Sequence, residues 1–444
     1  MPLREPLSPA DSAWLRMDAP DNPMVITGFF TFAEPLLLAE LAAFVEARLL
    51  PFVRFRQRLV RPKHGGRARW EPDPDFQLRA HLHHAALPRP GGDAQLADAM
   101  SDAMSAQFDM RKPLWQMHLL DGYAGGSALV FRLHHALADG LALVHLLEDM
   151  VASPDRPAPV EASEQAAARP GHAFVESLHE LAVHPAAVTE LLERGVGGAK
   201  TVKRLLTLPR EAATSLKGPL GTEKRAAWTR PIDLAVLREV AHRNDAKLND
   251  VFAMLVAGGL RRYLNDRGEA TDRLELRAVV PVNLRHDDTS SALGNRFGLV
   301  FLGLPIGVAS PLERLRPIVG SMRALKSGKE AATTYAIMEG MAFAPDAIDD
   351  LIVDIFEAKA TLVLTSVTGP RNAATFAGHR VRSMIFWVPQ AGRLGLGVSV
   401  LSYAGEIRVG VVSDAKVVAE PREIVAGIEM ELSLLLAEHG GRNA

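Results

Sequence analysis

Two hydrophobic periods alternate along the chain. Ala128–Leu133 is an apolar run that reads as a buried strand ending in His134 and His135. Leu141, Leu143, Val144, Leu147 and Met150 then recur at helical spacing. Residues 7–32 predict a short helix, capped by Ser8 or Asp11 with Pro9 early in it, and then a strand; Trp14 and Leu15 pack inward. Amphipathic helices are expected over 36–50 and 93–110. Alternation over 113–122 predicts a strand that pairs with 127–134 as a hairpin, with Trp115 in the core. A tight turn at Gly65-Gly66 predicts a second hairpin inside a basic stretch running from Arg54 to Arg69. Residues 234–244 and 247–264 predict helices, and 274–286 and 299–304 predict strands. Helices over 311–328 and 345–358, strands over 360–367, 396–402 and 406–412, and a last helix over 422–437 complete the pattern.

Breaker residues divide the chain. Ser153-Pro154-Asp155-Arg156-Pro157 opens a segment of Ala/Glu/Leu-rich helical pieces that closes at Gly218-Pro219-Leu220-Gly221. The expected organisation is an N-terminal domain over 1–150, a helical crossover over 151–225, and a C-terminal domain over 226–444. The 444 residues are ample for two cores. Hydrophobic content of 48% and charged content of 23% are ordinary for a globular protein, and a net charge of −2 gives no sign of nucleic-acid binding. With no cysteine, the chain can form neither a disulfide nor an acyl-cysteine intermediate. The opening residues lack the apolar core of a signal peptide, and no window is apolar over a membrane-spanning length. The expected location is cytoplasmic, with peripheral contact at a membrane or lipid droplet left open.

Histidine titrates nearest neutral pH and suits general-base chemistry. His134 and His135 are strand neighbours and so point to opposite faces; at most one is expected to face a pocket. If the chain turns helical at once, His135 and Asp139 stand one turn apart, and Gly140 permits close approach. The plainer alternative is a structural histidine pair with Asp139 as a helix cap. A metal site built on His134, His135 and Asp139 is a weaker alternative, since it lacks a distant fourth ligand. His81, His83 and His84 rank below the 134/135 pair. The basic stretch reads as a solvated face, with phosphate recognition a minority reading.

His134-His135-Ala136-Leu137-Ala138-Asp139-Gly140 resembles the HHxxxDG signature of the bacterial wax ester synthase/acyl-CoA:diacylglycerol acyltransferase family, which condensation domains of peptide synthetases share. Further blocks resemble that family in the same order: Leu7-Ser8-Pro9 with Asp11, Pro113-Leu114-Trp115, Asn249-Asp250, Pro281-Val282 with Arg285, and Gly294-Asn295 with Gly298. Many relatives read Asn-Val-Pro-Gly-Pro where this chain has Ser366-Val367-Thr368-Gly369-Pro370. The departure puts any amide hydrogen bond from that loop in doubt.

The resemblance implies an α/β (α+β) fold of two chloramphenicol-acetyltransferase-like domains, mixed sheets flanked by helices, with a substrate tunnel between them. It implies transfer of a fatty acyl group from acyl-CoA to a long-chain alcohol or diacylglycerol, without a metal, a resident cofactor or an acyl-enzyme. His135 would be the general base, with His134 and Asp139 in the catalytic set and Asn249 holding the acyl carbonyl or acceptor hydroxyl. Gly140, Asp250, Asn295 and Arg296 are the expected substrate contacts, although cap and turn roles would also explain the last three. Other readings stay open: another CoA- or carrier-dependent ester- or amide-forming acyltransferase, or a non-catalytic lipid-binding or droplet-associated protein.

Overall fold

The computed structural model describes residues 5–61, 68–137, 208–283, 297–327, 357–390 and 393–441. The expected turn at Gly65-Gly66, the helix from Leu141 onward, most of the 151–225 crossover, residues 284–296 and nearly all of the 345–358 helix lie outside them.

The first sheet is built around two strands, β2 (Val25–Phe32) and β7 (Gly126–His134), in which every residue is buried. Both read as near-continuous apolar runs because both faces of the sheet are covered. They pair antiparallel, with Val25 opposite His134. β6 (Trp115–Tyr123) joins β7 as the expected hairpin, and β5 (Leu82–Ala86) runs parallel to β6 at the sheet edge. The other side of β2 is filled from the far half of the chain: β14 (His379–Trp387) pairs with it antiparallel and carries the two-residue β13 (Thr375–Phe376). The six-stranded order is therefore β13-β14-β2-β7-β6-β5. Gly28 marks how tightly the three central strands pack. A Cβ there would meet the Phe131 ring at 2.5 Å and Phe386 at 2.6 Å.

Sheet membership thus does not follow the two halves expected from the breakers. β14 was also missing from the predicted elements. Its pattern alternates only over its first half and then becomes a short apolar run, Met384–Trp387, which periodicity alone does not assign to a sheet.

The second sheet has the order β11-β10-β12-β15-β16-β8. Its strands are β8 (Lys224–Trp228), β10 (Leu276–Asn283), β11 (Phe297–Leu304), β12 (Leu362–Thr368), β15 (Leu396–Tyr403) and β16 (Glu406–Asp414), with the short β9 (Ile232–Asp233) paired to β16. β12 is parallel to both β10 and β15, so the sheet is mixed. One face is packed by helices α4 (Leu234–Arg243), α5 (Leu248–Asp266), α6 (Pro311–Ser327) and α7 (Pro421–Gly441), whose apolar residues share one core with the sheet. Helix α5 is buried almost continuously from Asp250 to Leu260, which explains why its sequence is apolar all round. In the first half, α1 (Pro9–Met17), α2 (Leu38–Arg48) and α3 (Asp93–Ser105) complete the packing. A three-stranded sheet of β1 (Glu5–Pro6), β4 (Arg69–Pro72) and β3 (Gln57–Val60) carries Arg58 and Arg69 of the basic stretch. There Arg54 stacks over Trp70 and pairs with Glu5 at 3.0 Å, and Arg69 pairs with Glu71, so these cations hold the small sheet together. The α/β class with mixed sheets flanked by helices is as the sequence implied. Among the described residues no helix is long and apolar enough to cross a membrane.

Two junctions lock the halves together. Phe29, Trp228 and Trp387, from β2, β8 and β14, form an aromatic cluster with centroids 4.8–6.3 Å apart. Beside it the buried Lys224 ammonium donates to the Asp21 carbonyl at 2.6 Å and to Asp414 at 2.7 Å. Asp414 also accepts the Gly221 amide at 2.8 Å. Removing one partner of such a pair leaves a buried charge uncompensated, at a cost of roughly 3–5 kcal/mol. Lys224→Met is therefore expected to lower the unfolding free energy by about that amount in urea titrations followed by tryptophan fluorescence. A loss under about 1 kcal/mol would show that the lysine does not clamp the halves.

Candidate active site

The strand β7 ends in the histidine pair. His134, its last residue, donates its amide to the Leu114 carbonyl at 3.0 Å. Its ring Nδ1 accepts the Ala136 amide at 3.1 Å. With Nδ1 an acceptor, the neutral ring carries its proton on Nε2. That edge faces Asp18 Oδ1 at 3.7 Å, a charge contact beyond direct hydrogen-bond length. The same Asp18 oxygen accepts the Met24 amide at 2.8 Å, and the Met24 carbonyl accepts the His135 amide at 2.7 Å. One carboxylate thus fixes both the strand end and the residue after it.

The His135 ring stacks on Trp14 at 4.0 Å with planes 24° apart. Trp14 is carried by α1, which Ser8 caps by accepting the Asp11 amide at 3.1 Å, with Pro9 in the first turn. Trp14 and Met24 pack into a small core with Val279 of β10, Phe301 of β11 and Val363 of β12. The second sheet therefore backs the surface on which His135 lies. Only 3% of His135 is exposed. Burial pushes its pKa down to about 3, and the adjacent His134 adds to the effect. The imidazole is neutral at physiological pH and able to accept a proton. The sequence placed Trp14 in the core without a role in the site. Nothing local could have shown otherwise, since the two rings lie some 120 positions apart and meet only through the β2–β7 pairing.

On the second half, Asp250 and Asn249 part company. Asp250 is buried, and its Oδ2 accepts the Lys247 amide at 2.8 Å, so it caps α5. Asn249 is exposed, and its Oδ1 accepts the Ser366 hydroxyl at 3.0 Å. Ser366 thus supplies a hydroxyl that holds Asn249. With Oδ1 engaged, the Asn249 amide group is left as the outward donor. Asn249 makes no hydrogen bond to either histidine among the described residues. Ser366 shares the strand face of Leu362 and Leu364, which pack with α5, whereas Val363 faces Trp14. Asp139, Gly140, Asn295 and Arg296 lie outside the described residues.

His81, His83, His84 and His118 are scaffold or edge. His81 stacks on Trp115 at 4.6 Å, and its Nδ1 bonds the Trp115 carbonyl at 2.8 Å. His84 pairs with Asp121 at 2.7 Å on the surface. His83 stacks on His118 at 4.6 Å, and burial pushes His118 down to about 4.

Comparison with known proteins follows this geometry. The wax ester synthase/diacylglycerol acyltransferase catalytic domain matches residues 7–252, and the C-terminal domain of the same family matches residues 293–436. A protein of Mycobacterium tuberculosis described as "Probable diacyglycerol O-acyltransferase tgs1" is 32% identical over 402 residues, covering 88% of this chain and 86% of its own. Among solved structures, the wax ester synthase/diacylglycerol acyltransferase of Marinobacter aquaeolei VT8 superposes with a TM-score of 0.73 at 23% identity, covering 98% of this chain and 100% of that one. The first condensation domain of the calcium-dependent antibiotic synthetase superposes with a TM-score of 0.62 at 16% identity, over 98% and 95% of the two chains. These two likenesses show the shared fold, and the family matches carry the assignment: the chain belongs to the wax ester synthase/diacylglycerol acyltransferase family of enzymes.

Proposed function

We propose that this protein transfers a fatty acyl group from acyl-CoA to the hydroxyl of a long-chain alcohol or a diacylglycerol, with His135 as general base. The observation that carries the mechanism is the neutral, buried His135 imidazole at the mouth of a fully buried strand, held on Trp14 and by the Met24 carbonyl. The acceptor hydroxyl gives its proton to His135 as its oxygen attacks the thioester carbon. The carbon–sulfur bond then breaks, and the imidazolium returns the proton to the departing CoA thiolate. The tetrahedral oxyanion between these steps requires hydrogen-bond donors. The family resemblance assigns that role to the Asn249 amide, which Ser366 orients. Asp139 and Gly140 complete the HHxxxDG block, and the family resemblance assigns them to the catalytic set and to substrate contact. Burial keeps the His135 ring neutral, so its nitrogen is open to accept the proton. Acyl-CoA is a substrate here, and no step needs a resident cofactor. Contact with the surface of a membrane or lipid droplet is the natural source of such apolar acceptors.

The test is CoA-thiol release from palmitoyl-CoA with hexadecanol or a diacylglycerol as acceptor. The cysteine-free chain adds no background to a thiol reagent. His135→Ala is expected to cut acceptor-dependent release by about 10²–10⁴-fold, the usual contribution of a positioned base. Release as fast as wild type would remove His135 from the mechanism, and a wild type silent with both acceptors would remove the substrate assignment.

Asn249→Ala is expected to lower kcat by about 10²-fold, as loss of one oxyanion donor does. Ser366→Ala leaves the donor in place but frees its orientation, so its loss should be smaller and confined to kcat. Equal kcat in Asn249→Ala and wild type would show that the oxyanion is held elsewhere.

Acid stability checks the buried, neutral state of the histidines. His135 and His118 titrate near 6.5 when unfolded but well below it when folded. Below pH ~6.5 the unfolded chain binds more protons, so stability is full above that pH and declines as pH falls toward 4 and 3. The slope is up to ~1.4 kcal/mol per pH unit for each group. His118→Asn should flatten the fall in unfolding free energy between pH 6.5 and 5 relative to wild type. An unchanged slope would show that His118 is not held neutral by the fold.

A further inference from the structure

The geometry points to a phosphate-binding subsite for CoA at the far end of β12, formed by Arg238, Arg371 and Thr368. The inference rests on the acyl-CoA reading above and adds to it where the nucleotide end of the donor is held.

A cavity of about 370 Å³ opens where β12 and β15 end, closed by the start of α4 and by the β15–β16 turn. Its walls include two guanidinium side chains, Arg238 and Arg371, and no carboxylate. Both arginines are exposed, and neither has an acidic partner among the described residues. Many other arginines of the fold do have one, such as Arg54 with Glu5, Arg267 with Glu423 and Arg323 with Asp245. Asp233, the acid at the start of α4, is turned to the Ala235 amide at 2.7 Å. Two uncompensated cations around one concavity favour an anion, and paired guanidinium groups match phosphate oxygens in charge and shape.

The backbone of the cavity is rigid and self-satisfied. Gly369 donates to the Ser402 carbonyl at 2.9 Å, Ala404 to Pro370 at 3.0 Å and Leu234 to Gly405 at 3.0 Å. A Cβ on Gly369 would lie 2.7 Å from the Ser402 oxygen, so glycine is what lets the two strand ends close. With these amides used internally, the side chains are left to meet a ligand. Thr368 lines the cavity with a hydroxyl that can donate.

Position completes the case. Thr368 lies on the same strand as Ser366, which orients Asn249, and is two residues further toward its end. It is five residues, about 17 Å, from Val363, which packs with the Trp14 that carries the His135 ring. That length of strand is comparable to an extended pantetheine arm. The carboxyl ends of parallel strands are also where α/β sheets commonly take phosphate-bearing ligands.

The experiment compares palmitoyl-CoA with palmitoyl-N-acetylcysteamine, a thioester without phosphates, in wild type and Arg238→Ala/Arg371→Ala. The double variant is expected to raise KM for palmitoyl-CoA about tenfold or more, with kcat unchanged and KM for the truncated thioester unchanged. An unaltered KM for palmitoyl-CoA, or an equal rise for both donors, overturns the subsite. If wild type turns over neither donor, the catalytic reading fails, and calorimetry with CoA decides the subsite separately. Binding by wild type that weakens about tenfold in the double variant supports it, and no binding by wild type, or equal binding by both, overturns it. A phospholipid headgroup offers the same phosphate chemistry. Loss of co-sedimentation with phosphatidylglycerol vesicles in the double variant, with KM for palmitoyl-CoA unaltered, would assign the arginines to lipid and overturn the CoA site.

Discussion

The pairing of β14 with β2 is the constraint on which the rest of the molecule depends. It places a strand from the second half of the chain beside the central strand of the first sheet. The chain must therefore leave the first sheet, build most of the second, and return. That path brings Trp387 onto Phe29 and Trp228, and it sets the second sheet against the α1–β2 connection. Without it, the two sheets would be separate units joined by a crossover. With it, neither sheet is complete alone.

The site is a consequence of that closure. Asp18 and Met24 belong to the connection between α1 and β2, and they hold both histidines from the backbone side. Trp14 carries the His135 ring on one side and is pressed against Val279, Phe301 and Val363 on the other. A histidine at a strand end is mobile by default. Here it is fixed by an aromatic surface whose position both halves determine. Burial of this kind lowers the imidazole pKa at some cost to acid stability, and it delivers a neutral base at neutral pH.

Polar groups that look catalytic in the sequence divide by what they must satisfy. Asp250 is committed to the start of α5, where its carboxylate accepts the Lys247 amide. Asn249, one residue earlier, has no such duty and is turned by Ser366 instead. His81 serves the Trp115 carbonyl, and Arg54 and Arg69 of the basic stretch are spent on Trp70, Glu5 and Glu71. Arg238 and Arg371 differ in that one cavity without a carboxylate in its walls brings the two together.

The sequence by itself determined the elements with strong local periods: the β6–β7 hairpin, helices α2, α3, α4, α5 and α7, and the β15–β16 pair. It also determined the family, because the HHxxxDG block and its companions are contiguous stretches. In those cases the physical cause is local, such as alternation, helical spacing or a cap. Tertiary structure alone decided that β14 crosses to the first sheet, since half of its pattern is a plain apolar run that suits any buried site. It alone placed Trp14 beneath His135, Ser366 on Asn249, and Arg238 and Arg371 around one cavity. Each of these contacts joins residues more than a hundred positions apart. Local sequence carries no record of such contacts, because what selects them is the closing of two sheets around shared strands.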